Sequence, residues 1–420
     1  MEKAGVHVAI VGAGIVGLSA AIWLQRAGAR VTLVDREGPA AGASYGNAGL
    51  LAAASIVPVT TPGLLAKVPG MLLDPMKPLF LRWSYLPRLA PFLMSYLSHA
   101  TGPKVERIAD ALALLLGDTV DQHLSLAAGT GAERFIHPCD YLFGYSSRKD
   151  YEADAYAWRI RRARGFASED MDADALAAYD PAIAGRFGFA VRCPGHGRIS
   201  DPGAYAHALH AHFTGQGGEA LVASVSDIRM EAGRAAALVT DRGEIAADHL
   251  VVTAGAWSGP LAKRLGVSMP LETERGYHIE FVSPSYMPRA PVMVAAGKFV
   301  ATPMEGRLRC AGVVEFGGLD AGPSEAPFRM IEAKAKAAFP DLRYERIDRW
   351  MGHRPATADS LPVIGRSPAA ENVWLGYGHQ HVGLTGGPKT GRWLAGLITG
   401  DRPNADLSPF APDRPARMHA

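Results

Sequence analysis

Three glycines in Gly12-Ala13-Gly14-Ile15-Val16-Gly17 stand at the spacing of a phosphate-binding turn. Such a motif is weak alone, and its setting gives it weight. The apolar run His7 to Val11 leads straight into it, an Ala/Leu-rich helical pattern continues through Ala27, and a second apolar run, Val31 to Val34, ends at Asp35. An acid about 18 residues past the third glycine is the remaining part of a dinucleotide fingerprint. Gly12 then permits the tight turn, Gly14 lets a pyrophosphate approach the backbone, and Gly17 lets the helix lie close to the strand. The helix start, at Ile15 and Val16, offers unpaired N–H groups to the phosphates. Asp35, with Arg36 beside it, is expected at the adenosine ribose. These residues imply a dinucleotide cofactor and leave NAD or FAD open.

The elements that position this turn can be read along the chain. Gly38 to Gly49 is a glycine-rich loop. Val105 to Ala128 has an amphipathic helical pattern, Tyr141 to Tyr145 and Phe187 to Arg192 are strand-like, and Asp150 to Arg164 is a charged helix. Ala220 to Val225 is a strand, Asp227 to Thr240 a β-ribbon, and Asp248 to Thr253 a buried strand ending in the turn Ala254-Gly255-Ala256-Trp257-Ser258, a second backbone approach to the cofactor. Residues 271–316 alternate as an antiparallel sheet, a natural wall for a substrate pocket. Leu361 to Gly365, Val373 to Tyr377 and the glycine loop Gly378 to Gly387 lead into a last helix. The expected architecture is α/β: a discontinuous Rossmann-like dinucleotide domain (1–60, 198–268, 345–420) and a substrate domain (61–197, 269–344) with an antiparallel or mixed sheet and helices.

Composition excludes several classes. At 420 residues the chain exceeds a lone dinucleotide fold, and a net charge of +2 gives no nucleic-acid footprint. Cys139, Cys193 and Cys310 lack metal-like spacing, so no metal is expected and the thiols read as reduced core or loop residues. The first strand leaves no room for a signal peptide and no apolar run spans a bilayer, so a cytoplasmic protein is expected. Residues 71–97 keep two readings open. Lys77, Arg82 and Arg88 beside Leu79, Phe80, Leu81, Trp83 and Leu86 suit a peripheral patch on the inner membrane that meets a quinone. A pocket-covering helix pair broken by Pro87 and Pro91 suits the same residues.

Three stretches together resemble the FAD-dependent D-amino acid oxidase and dehydrogenase superfamily, in its bacterial D-amino acid dehydrogenase branch: the glycine turn with Asp35, the loop Ala43 to Gly49, and Gly352-His353-Arg354-Pro355 through Asp359 to Leu361-Pro362-Val363-Ile364-Gly365. The resemblance implies FAD, placed along Ser44, Asn47, Ala48, Gly49 and Leu51, with Val225, Ala254, Gly255 and Trp257 at the adenine end. It puts Gln380, Val382, Gly383, Leu384 and Thr385 beside the pyrimidine side of the isoalloxazine, where a glycine turn opening a helix favours negative charge on physical grounds as well. Met351-Gly352-His353-Arg354 lacks the cysteine that the sarcosine oxidases carry there, so FAD is expected to be non-covalent. Arg354 is the expected carboxylate clamp, since a guanidinium pairs with that group through two parallel hydrogen bonds. Tyr277 is the expected second carboxylate ligand, with a core tyrosine as its alternative; His278 falls on the opposite face of a regular strand. His381 touches substrate or flavin, or is a satisfied loop histidine. The implied reaction is oxidation of a D-amino acid, or of a cyclic secondary one such as D-hydroxyproline, to the imine by hydride transfer to flavin N5, with electrons passed to a quinone or respiratory acceptor. An oxygen-using oxidase of the glycine or sarcosine type is the first rival, and a non-catalytic flavin-binding relay subunit the second.

Overall fold

The computed structural model describes residues 5–64 and 79–415. A six-stranded sheet is ordered Val363–Arg366, Val373–Tyr377, His249–Val252, His7–Val11, Arg30–Asp35, Glu219–Val222. All pairs are parallel except the first. Every residue of His7–Val11 is buried, as an apolar strand covered on both faces must be. Two helices, Ile15–Arg26 and Gly383–Thr399, cross on one face of this sheet. Their glycines let them touch: a Cβ on Gly391 would lie 2.5 Å from the Ala20 nitrogen, and one on Gly387 would lie 3.0 Å from Ile15 Cγ2. The C-terminal glycine loop therefore has a packing reason as well as a binding one. A three-stranded ribbon, Val225–Glu231, Arg234–Thr240 and Gly243–Ala246, adjoins the sheet in sequence.

A second, ten-stranded sheet runs Arg346–Thr357, Leu271–Val282, Arg307–Phe316, Phe299–Met304, Val292–Val294, Ile136–Tyr145, Phe189–Ile199, Leu50–Leu51, with Leu79–Leu81 and Glu169–Asp172 added at its sides. It is mixed: Val292–Val294 and Leu79–Leu81 each pair in parallel, and the other pairs are antiparallel. The expected domain boundary moves here. Arg346–Thr357 pairs along its whole length with Leu271–Val282, so the chain rejoins the parallel sheet only after Thr357. Leu50–Leu51 and Phe189–Ile199 likewise belong to the second sheet.

Two sequence-expected helices are broken. The pattern from Val105 resolves into Gly102–Leu116 and Thr119–Ala127, parted at Gly117, and the charged one into Arg148–Glu152 and Ala155–Ala163. Of the 71–97 stretch, residues 71–78 with Lys77 lie outside the described residues. The remainder forms the strand Leu79–Leu81 and the helix Leu86–Leu97. Leu79, Leu81, Leu89, Leu93, Tyr96 and Leu97 turn toward a large internal cavity, while Trp83 and Met94 are each 62% exposed. The segment is a cover first; Arg82 is drawn inward to Glu315 and Ser324 rather than presented to a surface. Among the described residues, no helix is long and apolar enough to cross a membrane.

Candidate active site

A cavity of about 1130 Å³ runs between the two sheets, above the roughly 300–1,000 Å³ of an ordinary small-molecule site. Its floor is the carboxyl end of the parallel strands, through Val11, Gly12, Val34, Asp35, Thr253 and Gly376, where ligands of open α/β sheets bind. The glycine turn is shaped by contact. Gly12 sits at φ +103°, and a Cβ there would lie 2.5 Å from the Thr253 carbonyl oxygen; one on Gly17 would lie 1.9 Å from the Gly12 oxygen. Gly14 gives the helix no side-chain cap. Ile15 donates to Ser44 Oγ at 3.0 Å, and the other first-turn N–H groups have no intrahelical acceptor. The result is a backbone cradle for an anion.

Asp35 has a prior engagement. Its Oδ2 accepts from Ala13 N–H at 2.8 Å, and its Oδ1 from Glu37 N–H at 2.9 Å and Gly38 N–H at 3.1 Å. The acid fastens the glycine turn to the following loop, and Oδ2 keeps one lone pair for a ribose hydroxyl. Asp35→Ala should therefore lower the melting temperature of the cofactor-free protein as well as its retention of FAD, since charge-assisted bonds contribute about 1.5–3 kcal/mol each. Calorimetry of apo and loaded protein separates the two effects. An apo form as stable as the parent would return Asp35 to a purely ribose-binding role.

The loop Ser44 to Gly49 is held from beneath by His278, on the strand face opposite Tyr277, and by Arg309, which the sequence did not single out. His278 Nδ1 lies 3.0 Å from the Gly46 carbonyl, and Arg309, itself paired with Glu280 at 2.8 Å, donates to the carbonyls of Tyr45 and Asn47. With the carbonyls drawn down, Ser44, Asn47 and Ala48 face the cavity. The Trp350 ring stacks on His278 at 5.1 Å between centroids and fills the space that side chains on Gly46 and Gly352 would need. Gly17, Gly49 and Leu51, expected along the cofactor, lie behind the lining instead: Gly17 against the turn, Gly49 at φ +71° against Met304, and Leu51 fully buried in the second sheet.

At one end Val225, Ala254, Gly255 and Trp257 line the cavity, with the Arg36 guanidinium 3.8 Å from the Trp257 ring centroid. At the other end Gln380, Val382, Gly383, Leu384 and Thr385 line it. Gln380 takes φ +48°, and Val382 leaves the helix Gly383–Thr399 without a side-chain cap, so its positive end is offered to the cavity. The His381 ring faces the same space with no side-chain hydrogen bond among the described residues. The ring is exposed to the cavity rather than packed in the core, and desolvation by the surrounding protein, reinforced by the Arg354 charge, lowers its pKa to about 4, so it is a neutral donor or acceptor there.

Arg354 lies on the cavity wall. Its Nη1 donates to the Val313 carbonyl at 2.8 Å and its Nη2 to that of Gly312 at 3.3 Å. Both carbonyls are delivered by a register shift where Leu271–Val282 pairs with Arg307–Phe316. Val313, a β-branched residue, takes φ +64° in that bulge, a strained conformation that costs about 1–3 kcal/mol and is retained mostly at functional sites. No carboxylate among the described residues comes within ion-pair distance of Arg354, although Glu274 stands opposite it in the strand register. Tyr277 corrects the expectation made for it. Three residues on from Glu274, it falls on the other face of the strand. Its hydroxyl donates to Glu315 and accepts from Ser324 N–H at 3.1 Å, and its ring packs edge-on against Phe328. It borders the cavity as a core tyrosine and is not the second carboxylate ligand. The face that Arg354 shares is that of Glu274, Gly276, His278 and Trp350.

The family model described as FAD dependent oxidoreductase (DAO) matches residues 7–397. The chain is 40% identical over 417 residues to a D-amino-acid oxidase of Bradyrhizobium diazoefficiens, covering 98% of this chain and 99% of the relative. It is 30% identical over 427 residues to a D-amino acid dehydrogenase of Allorhizobium ampelinum, covering 96% and 97%. Glycine oxidase from Geobacillus kaustophilus has the same fold, with a TM-score of 0.75 at 21% identity over 97% and 99% of the two chains. The uncapped helix ends, the glycines with no room for a Cβ, and the long cavity between two sheets fit the dinucleotide that this family uses. The chain belongs to the family of FAD-dependent oxidoreductases.

Proposed function

We propose that the protein oxidises D-amino acids with apolar side chains at the Cα–N bond, giving the imine that water then hydrolyses. The observation that carries this reading is Arg354: a half-buried, forked cation on the cavity wall, braced by two carbonyls and lacking an acid partner among the described residues. A substrate carboxylate supplies that partner with two-pronged geometry. The surrounding surface, Leu79, Leu81, Leu93, Leu97, Val314 and Phe316, is apolar and suits an aliphatic or aromatic side chain. The D configuration rests on the names of the relatives with 40% and 30% identity.

FAD, held without a covalent bond by the glycine turn, Ser44, Asn47, Ala48, Val225, Trp257 and the 380–385 turn, supplies the two-electron oxidant when bound. The chain's own contribution is orientation. Arg354 fixes the carboxylate, and with it the direction of the Cα–H bond. The cover formed by Leu79–Leu81 and Leu86–Leu97 excludes water, and the helix end at Gly383 favours negative charge at that edge of the cavity. A large cavity bearing an arginine with no acid partner among the described residues argues against a relay subunit. For the acceptor, the oxidase name of the 40% identical relative favours oxygen over a quinone.

The test is anaerobic flavin bleaching by D- and L-amino acids, glycine, prolines and N-methyl amino acids, followed by reoxidation with oxygen or with a quinone. D-leucine, D-methionine and D-phenylalanine should bleach fastest and D-aspartate slowly. Bleaching only by amines without a carboxylate would overturn the reading.

A further inference from the structure

Of the acids that alternate onto Arg354's face of Leu271–Val282, Glu274 is the one among the described residues that lines the cavity, and its surroundings are lopsided. The residue is 1% exposed. Its Oε1 accepts from the Tyr96 hydroxyl at 3.3 Å, and its Oε2 is buried with no hydrogen-bond partner among the described residues. It stands directly across the strand pair from Arg354, a position whose Cβ atoms are about 4.5–5.5 Å apart, and it borders the same cavity. Yet the Arg354 N–H groups point to the carbonyls of residues 312 and 313, so Glu274 is not spent as the arginine's ion-pair partner. A buried carboxylate oxygen without a donor is costly. The residue lines the space where a substrate's charged groups must sit, with Oε2 just behind that lining, so a turn of the carboxyl group presents it.

We propose that Glu274 receives the proton that a zwitterionic amino acid must lose before oxidation; this rests on the reading of the site given above. An α-amino acid carries its ammonium one carbon from its carboxylate, so a molecule clamped by Arg354 presents that ammonium to the neighbouring register position. The step balances simply. One ammonium N–H bond breaks and its electron pair stays on nitrogen. An O–H bond forms on the Glu274 carboxylate, leaving a neutral amine and a neutral carboxyl, and no electron is exchanged. The later loss of two electrons draws on the FAD oxidant already assigned.

The electrostatics run in the required direction. Burial raises the proton affinity of Glu274, while the Arg354 charge and the Tyr96 hydrogen bond hold it down. A substrate carboxylate that occupies Arg354 cancels much of that restraint, so binding itself makes Glu274 a stronger base. The groups facing it are few: Tyr96 from the helix Leu86–Leu97, Arg354 from Arg346–Thr357, and apolar Phe316 from the strand on its other side. On its own strand, Glu272 is engaged with Tyr85, and Arg275 with Glu315 on the opposite face.

The test is the pH profile of kcat/KM, from pH 6 to 10.5, of holoenzyme with its best D-amino acid. Glu274→Gln keeps the shape and an acceptor for Tyr96. It should lose at least tenfold near pH 7 and recover about tenfold per pH unit as pH approaches the ammonium's own pKa, with flavin content unchanged. Tyr96→Phe removes a donor to the carboxylate and should move the acidic limb of the profile upward. Binding of 4-methylpentanoate, which has the carboxylate and no amine, should be as tight or tighter in Glu274→Gln, read from the flavin spectrum. A parental pH profile in Glu274→Gln, a loss independent of pH, or an acidic limb unmoved in Tyr96→Phe would overturn the assignment while leaving the oxidation reading intact. A parent that bleaches with no amino acid would overturn both.

Discussion

Gly17→Ala should give a protein that folds with a lowered melting temperature and leaves gel filtration largely without FAD. The added methyl would lie 1.9 Å from the Gly12 carbonyl oxygen and 2.8 Å from Thr253 Oγ1. The first of these is backbone and cannot turn aside. Helix Ile15–Arg26 must back away from the turn, but its other side is fixed by Gly387 and Gly391 of the last helix, which approach Ile15, Ser19 and Ala20 with no room to spare. Overpacking of this kind costs about 1–3 kcal/mol, and it falls on the N–H groups proposed to hold the pyrophosphate. At about 1.4 kcal/mol per tenfold, FAD affinity should drop by roughly five- to a hundredfold. Gly215→Ala is the control: it ends the helix Pro202–Gly215 in open space and should be neutral or slightly stabilising. FAD retention at the parent's level in Gly17→Ala would mean that the helix relocates freely, which the packed last helix argues against.

The parallel sheet was legible because each of its determinants is local. An apolar run, a glycine turn and a helix start are contiguous in sequence, and the same grammar recurs at Ala254 to Ser258 and at Gly378 to Gly387. What was not legible came from pairing at long range. Tyr277 and His278 are adjacent, and alternation alone says only that they face opposite ways. Which one faces Arg354 is set by the register of Leu271–Val282 with Arg346–Thr357, and the sequence does not print a register. Arg309 and His278 serve a loop more than 200 residues away. Glu274 was invisible for the same reason: two residues before Gly276, it reads as one polar position in an alternating strand until the neighbouring strand sets Arg354 beside it. The domain boundary slipped because Arg346–Thr357 carries the site's arginine on the substrate sheet and returns to the cofactor sheet only afterwards. Asp35 was found for its position at a strand end, but the turn it fastens shows only in three dimensions.

Replacing Arg354 should produce a graded loss of kcat/KM toward amino acids, with alanine worse than lysine by at least about tenfold, or 1.4 kcal/mol. Lysine keeps the charge but replaces a planar fork by a point donor, so the carboxylate is held without a fixed orientation. Alanine leaves a desolvated carboxylate facing apolar walls, and removing one partner of such a buried pair costs about 2–5 kcal/mol, tens- to thousands-fold in rate. The flavin spectrum and content should be those of the parent in both variants, because Arg354 is braced by Val313 and Gly312 rather than by the glycine turn. That bracing makes a further distinction. The bulge holds Val313 at φ +64° so that its carbonyl meets Nη1, and the arginine is oriented before substrate arrives. A clamp that is already oriented loses little entropy on binding, so the lysine variant, with its flexible stem, should lose in kcat as well as in KM. Amines without a carboxylate should be poor substrates for the parent and nearly indifferent to either change. An alanine variant that turns over D-leucine near the parental rate would take Arg354 out of the site, and with it the case that a carboxylate is what this cavity was built to hold.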